Sequence, residues 1–161
     1  MRIGIIGPSK ISYIEEITKK ARTIVEDLAM KVAQEGHEIV VTPDKGSVSE
    51  YFAQEYIKHK GKKVWEVLPL DDKEFGYSWV NLELGEKINC GIWRNQPEKL
   101  NEETDALLQL GYSAGGLAEI AYTKWLKPKP IYMINELIST KLPEELNRSL
   151  KLVYVSYKKL K

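Results

Sequence analysis

The sequence predicts an α/β domain in three layers, with a mainly parallel, twisted sheet between helices on both faces. Two observations carry this. Short apolar runs alternate along the chain with segments whose apolar residues recur at spacings of three and four, the mark of helices. The short runs are apolar nearly throughout, as in strands covered on both faces. No repeat, low-complexity tract or linker divides the 161 residues, so residues 1–161 read as a single domain.

The elements follow in order. Arg2 to Ile6 is a first strand. Residues 12–34 form one long helix, with Ile14, Ile17, Ala21, Ile24, Val25, Leu28, Ala29, Val32 and Ala33 on one face. Gly36 closes it, supplying the left-handed residue that often ends a helix. Glu38 to Thr42 is a second strand, built on β-branched Ile39, Val40 and Val41. A helix from Ser47 to His59 follows, capped by Ser47 or Ser49 and ended by Gly61. Lys63 to Leu68 is a third strand. Pro69 to Asn101 is irregular, a loop with one short helix or strand. Thr104 to Leu110 is a fourth strand, Gly116 to Leu126 a helix that stops before Pro128, and Pro130 to Ile134 a fifth strand. A short helix from Pro143 to Leu150 and a sixth strand from Leu152 to Val155 complete the chain.

Parallel sheets of this kind bind ligands beyond the carboxyl ends of their strands, where the strand order switches. Four loops fall on that edge: Gly7-Pro8-Ser9-Lys10, Pro43 to Ser47, the Arg94-Asn95 region, and Gly111 to Gly116. The last is the most informative. Small residues between a strand and a helix leave uncrowded N–H groups at the positive end of the helix dipole, a seat for phosphate. Ser113, Gly115 and Gly116 belong to that seat, with Gly7, Ser9, Lys10 and Asn95 around it. Glu119 and Arg94 are the candidate catalytic pair. Each has a structural alternative: Glu119 as a first-turn acid favoured by the helix dipole, Arg94 as a surface side chain stacked on Trp93, and Asp44 as a helix cap. His37 and His59 lie beside helix-ending glycines and read as structural.

Composition excludes several function classes. With 24 basic and 23 acidic residues the net charge is +1, which gives no basic face for nucleic acid. One cysteine, Cys90, allows no disulfide framework and fits a reducing cytoplasm. Two histidines and one cysteine make a metal site unexpected. The apolar run Ile3 to Ile6 is too short for a signal peptide, and no run is long enough to cross a bilayer. There is no Gly-x-Gly-x-x-Gly after the first strand and no Walker-type Gly-Lys-Ser/Thr loop, which argues against a nicotinamide dehydrogenase or P-loop nucleotidase.

Taken together, the segments resemble the Rossmann-like superfamily of LOG phosphoribohydrolases, molybdenum-cofactor carrier proteins and DprA-related nucleotide-binding proteins. The DprA-related, carrier-like branch is the most similar. The resemblance rests on the first strand with Gly7-Pro8-Ser9, on Glu35 to Val41, and on Gly61 to Pro69. It continues with Ile88 to Asn95, which resembles that branch's Gly-x-x-Arg-Asn segment, and with Thr104 to Leu108 running into the glycine loop. LOG enzymes carry Pro-Gly-Gly-x-Gly-Thr-x-x-Glu, whose glycines hold phosphate and whose glutamate, with an upstream arginine, works on the ribose. This chain keeps Gly115 and Glu119, but has Gly116 for the threonine, Tyr112 and Ser113 for the paired glycines, and Gly111 for the proline. The resemblance therefore implies a binding or carrier protein for a phosphate-bearing small molecule, a nucleotide or a pterin-type cofactor, with a degraded catalytic signature. The alternative it implies is a nucleoside 5′-monophosphate phosphoribohydrolase. It also implies a homodimer or higher homo-oligomer. The identity of the bound cofactor stays open.

Overall fold

The computed structural model describes residues 1–160. Seven strands form one sheet: β1 (Arg2–Ile6), β2 (Glu38–Val41), β3 (Val64–Leu68), β4 (Glu86–Asn89), β5 (Ala106–Gln109), β6 (Pro130–Ile134) and β7 (Lys151–Val155). Their order is β4-β3-β2-β1-β5-β6-β7, and every pairing is parallel. The chain therefore winds outward from β1 in one direction as far as β4, then returns to β1's other side at β5. That reversal opens a crevice above the carboxyl ends of β1, β2 and β5.

The helices are α1 (Ser12–Glu15), α2 (Ala21–Gln34), α3 (Val48–Lys58), α4 (Gln96–Glu102) and α5 (Ala114–Tyr122). Adjacent strand residues face opposite layers. Ile5 and Leu108 pack with Val25, Leu28 and Phe52 of α2 and α3. Ile6 and Leu107 pack on the other face with Leu100 of α4 and Ile120 of α5. At Gly4 a Cβ would stand 2.6 Å from Leu107 Cδ2 and 3.4 Å from Leu100 Cδ2. Only a residue without a side chain lets that layer sit so close to β1.

Three expectations need correction. The helix foreseen over residues 12–34 is two helices. The Lys20 N–H turns to Thr18 Oγ1 at 3.3 Å, a local bond that competes with the helical ladder. Ile17 stays 44% exposed, so the unbroken apolar spacing conceals the break. Second, the irregular stretch holds both a strand and a helix, β4 and α4, which makes seven strands rather than six. Alternation failed to show β4 because its burial pattern has no fully buried position. Third, the segment after Pro143 is a 3₁₀ turn, Glu144–Arg148, with no buried residue. Lacking an apolar face, it has nothing to anchor a longer helix.

Candidate functional site

A cavity of about 370 Å³ occupies the crevice, and it is built from loop and helix ends upward. Helix α5 starts two residues earlier than the sequence suggests. Ser113, extended at φ −154° and ψ 161°, is its N-cap, and its Oγ accepts the Gly116 N–H at 3.0 Å. The same hydroxyl lies 3.4 Å from the Gly7 carbonyl and can donate to it. Helical bonding begins with the Leu117 N–H to the Ser113 carbonyl. The Ala114 and Gly115 amides are thus first-turn donors that the helix itself cannot satisfy, and both residues line the cavity. A Cβ on Gly115 would meet nothing within 4 Å.

The early start moves Glu119 into the second turn. It is buried, 9% exposed, and turned toward the cavity rather than the helix dipole. Gln96 Nε2 donates to Glu119 Oε1 at 2.9 Å and also reaches Thr42 Oγ1 at 2.8 Å. The Thr42 hydroxyl itself donates to the Val67 carbonyl at 2.9 Å. One amide thus ties α4, the end of β2 and α5 together in the cavity wall. Burial pushes the Glu119 carboxyl up to about 7, with the charge of Asp44 adding to the effect and the Gln96 hydrogen bond opposing it.

Asp44 lines the same cavity. Burial raises its carboxyl to about 6, the Trp79 indole pulling it down and the charge of Glu50 up. Its Oδ1 is buried with no hydrogen-bond partner among the described residues. It does not cap α3. Ser47 does, accepting the Glu50 N–H at 3.1 Å. Trp93 forms an aromatic wall of the cavity. It stacks on Trp79 with ring centroids 5.5 Å apart, and its indole N–H donates to the Gly76 carbonyl at 2.7 Å. Hydroxyls of Ser9, Thr42, Ser47, Ser49 and Ser113 belong to the lining, which among the described residues includes no lysine or arginine.

Of the residues singled out from sequence, Gly7, Ser9, Ser113, Gly115, Gly116 and Glu119 meet at this cavity. Gly7 has a packing reason as well: a Cβ there would lie 2.9 Å from the Leu110 carbonyl oxygen. Lys10, Arg94 and Asn95 are exposed and do not line it. The Lys10 ammonium lies 6.0 Å from the Tyr13 ring. The Arg94 side chain is 78% exposed, its Nη2 3.9 Å from a Glu74 carboxylate oxygen. Sequence reasoning missed Gln96 and Thr42, and it placed Asp44 on a ligand-edge loop with helix capping as the alternative. The carboxyl-edge rule points to Thr42 and Asp44, which follow β2. Gln96 has no such signal, because α4 was hidden in the irregular stretch.

No protein-family model matches the chain, nor does any curated protein. Solved structures do. The chain superposes on the molybdenum cofactor binding protein from the phototrophic bacterium Rippkaea orientalis with a TM-score of 0.72, at 20% identity, covering 98% of this chain and 90% of that one. It superposes equally on the Moco carrier protein from Chlamydomonas reinhardtii, at TM-score 0.72 and 18% identity, over 98% and 90% of the two chains. The fold is that of the molybdenum-cofactor carrier proteins. This agrees with the fold that the resemblance seen in the sequence implies. At these identities the carrier likeness is one of architecture, and function has to be argued from the cavity.

Proposed function

We propose that this chain is a binding or carrier protein for a phosphate-bearing small molecule of nucleotide or pterin type, seated in the cavity above β1, β2 and β5. One observation carries the reading: the Ala114 and Gly115 amides have no acceptor within α5, and both residues line the cavity. Two first-turn N–H groups and the helix dipole stabilise an anion there, by about 0.3–2 kcal/mol from the dipole alone. The hydroxyls of Ser9 and Ser113 add neutral donors. The fold shared with proteins that bind or carry the molybdenum cofactor supports a pterin-type cargo. The same proposal includes a homo-oligomer in the cytoplasm. Helix α5 leaves Leu117 40% exposed, with Trp125 just beyond it 74% exposed, an apolar face suited to a second copy. Among the described residues no helix is long and apolar enough to cross a membrane.

A hydrolase reading has one observation in its favour. A buried glutamate that titrates near neutrality is suited to general acid–base work on an N-glycosidic bond. Against it, Arg94 lies outside the cavity wall, and among the described residues no lysine or arginine lines it. The deciding experiment is calorimetry with inorganic phosphate, ribose 5-phosphate and adenosine monophosphate, beside an assay for released base. Binding without turnover is the expected result. Robust release of adenine, abolished by Glu119→Gln, would replace the carrier reading with the hydrolase one.

A further inference from the structure

The α5 amides can hold an anion only if the turn before them is fixed, and that turn is tied down at few points. Gly111 and Tyr112 belong to no helix or strand. Gly111 takes φ +93°, a left-handed conformation that suits glycine, and a Cβ there would also stand 2.5 Å from Ile14 Cγ2. The main-chain groups of these two residues make one hydrogen bond among the described residues. Gln109 Nε2 donates to the Gly111 carbonyl.

Gln109 stands on a rigid base. It is the last residue of β5, paired with Ile6 of β1 on one side and Met133 of β6 on the other, and it is wholly buried. The same amide lies against the first turn of α5. A Cβ on Gly116 would stand 3.1 Å from Gln109 Nε2 and 3.3 Å from its Oε1. One side chain thus abuts both ends of the turn. Neither Gln109 nor Gly111 lines the cavity, so the Gly111 carbonyl, whose negative end would repel an anion, is held out of it. The arrangement lowers stability elsewhere. A carbonyl only accepts, so the amide nitrogen has to face Gly111, and Oε1 is left buried without a partner among the described residues. An unpaired buried oxygen destabilises the fold, and methionine would fill nearly the same volume without one. A side chain that burdens the fold at the base of a site is accounted for by what it does for the site.

We propose that Gln109 is a positioning residue for the anion seat. Its buried amide sets the Gly111 peptide and, through the turn, the direction of the Ala114 and Gly115 N–H groups. It touches no ligand itself. The inference rests on the binding reading above, since it assigns the residue that holds in place the seat where the phosphate is bound.

The test pairs calorimetry with inorganic phosphate and thermal unfolding, both on the full chain. Gln109→Met trades one unpaired oxygen, its own Oε1, for another, that of Gly111. Its melting temperature should therefore stay within about 4 °C of the wild type, while its phosphate affinity falls about tenfold. Gln109→Glu should bind about as well as the wild type at pH 5.5, where a protonated carboxyl donates to Gly111, and fall behind it at pH 8. A role in packing alone predicts no such dependence on pH. Wild-type affinity in folded Gln109→Met overturns the assignment and leaves the anion seat standing. A ratio of Gln109→Glu to wild-type affinity that is the same at both pH values does so too. If neither variant folds, hydrogen exchange of the Gln109 side-chain amide in the wild type decides. It should slow when phosphate saturates the seat, because the turn and the ligand stabilise each other, and an unchanged rate overturns the assignment. Failure of the wild type to bind phosphate removes the seat and the assignment together.

Discussion

Gln96 and Glu119 meet across 2.9 Å, an amide nitrogen on the buried carboxylate oxygen, although 23 residues separate them in the chain. The contact binds the first residue of α4 to the second turn of α5. It holds the one carboxyl of the cavity that is almost wholly removed from water. The first prediction follows from it. Gln96→Leu takes away the only donor to Glu119 among the described residues and leaves an apolar group in its place. The Glu119 carboxyl should then titrate higher than in the wild type, read by carbon-13 NMR of labelled glutamate. The loss of stability should be about 1–3 kcal/mol by chemical unfolding. An unchanged Glu119 titration would show that the amide does not favour its charged form.

Anion binding should weaken as pH rises. Burial raises Asp44 to about 6 and Glu119 to about 7, so each is largely neutral at pH 5.5 and ionised at pH 8. Their two negative charges then share the cavity with the phosphate and oppose it. Inorganic phosphate affinity, corrected for the ligand's own ionisation, should fall across this window in calorimetric titrations. A flat profile would place the anion away from both carboxyls.

The same shift carries a stability consequence. The folded-state value for Glu119 lies above the ordinary 4.5, so folding favours its protonated form. That contribution is present below about pH 4.5 and is lost as pH rises through 7. Glu119→Gln keeps an oxygen for the Gln96 amide and cannot ionise. It should be more stable than the wild type at pH 8 and show no such gain at pH 5, by thermal unfolding in matched buffers.

Gly115 and Gly116 should respond differently to a side chain. A Cβ at Gly115 points into open space, and its backbone is not left-handed, so Gly115→Val should fold with an unchanged melting temperature and lose phosphate binding. A Cβ at Gly116 would stand 3.1 Å from both Gln109 Nε2 and Ser113 Oγ. Gly116→Val should therefore disturb the cap and lower stability by about 1 kcal/mol or more. Full phosphate affinity in folded Gly115→Val would move the ligand elsewhere.

At the opposite, amino edge of the sheet, Glu38 should contribute to acid sensitivity. Its carboxylate is held at about 2, first by the Trp65 indole N–H and next by Lys62, with Arg2 also bonded to it. The folded value is depressed, so the stabilisation is present above about pH 4.5 and is lost as pH falls toward 2. Glu38→Gln should flatten the loss of stability between pH 5 and pH 2.5, measured by urea unfolding.

The fold was legible wherever burial on both faces left a mark. β1, β2, β3, β5 and β6 are largely apolar because most of their residues are buried, Glu66 and Gln109 being the polar exceptions. β4 was illegible because it is a polar edge strand, Glu86–Asn89, recruited by pairing with β3 rather than by side-chain burial. At the site, glycine, serine and the carboxyl-edge rule were enough to gather Gly7, Ser9, Ser113, Gly115 and Glu119. Gln96 was beyond reach, because nothing in a single glutamine announces a partner in another helix. Arg94 and Asn95 illustrate the reverse. They follow the right strand, yet the 3₁₀ turn Trp93–Asn95 directs Trp93 to the cavity and leaves its two neighbours in solvent.

The position of β1 at the centre of an all-parallel sheet also governs how the chain can be made. Its first partner, β2, begins only at Glu38, and its second, β5, pairs Ile3 with Ala106. Among the described residues every strand pairing is parallel, so each pairing waits for a crossover to close. During synthesis the amino-terminal half must emerge with one side of Ile3 to Ile6 unpaired until Ala106–Gln109 leaves the ribosome. A nascent chain halted before that point carries an apolar strand edge that a chaperone, or another nascent copy, is free to occupy.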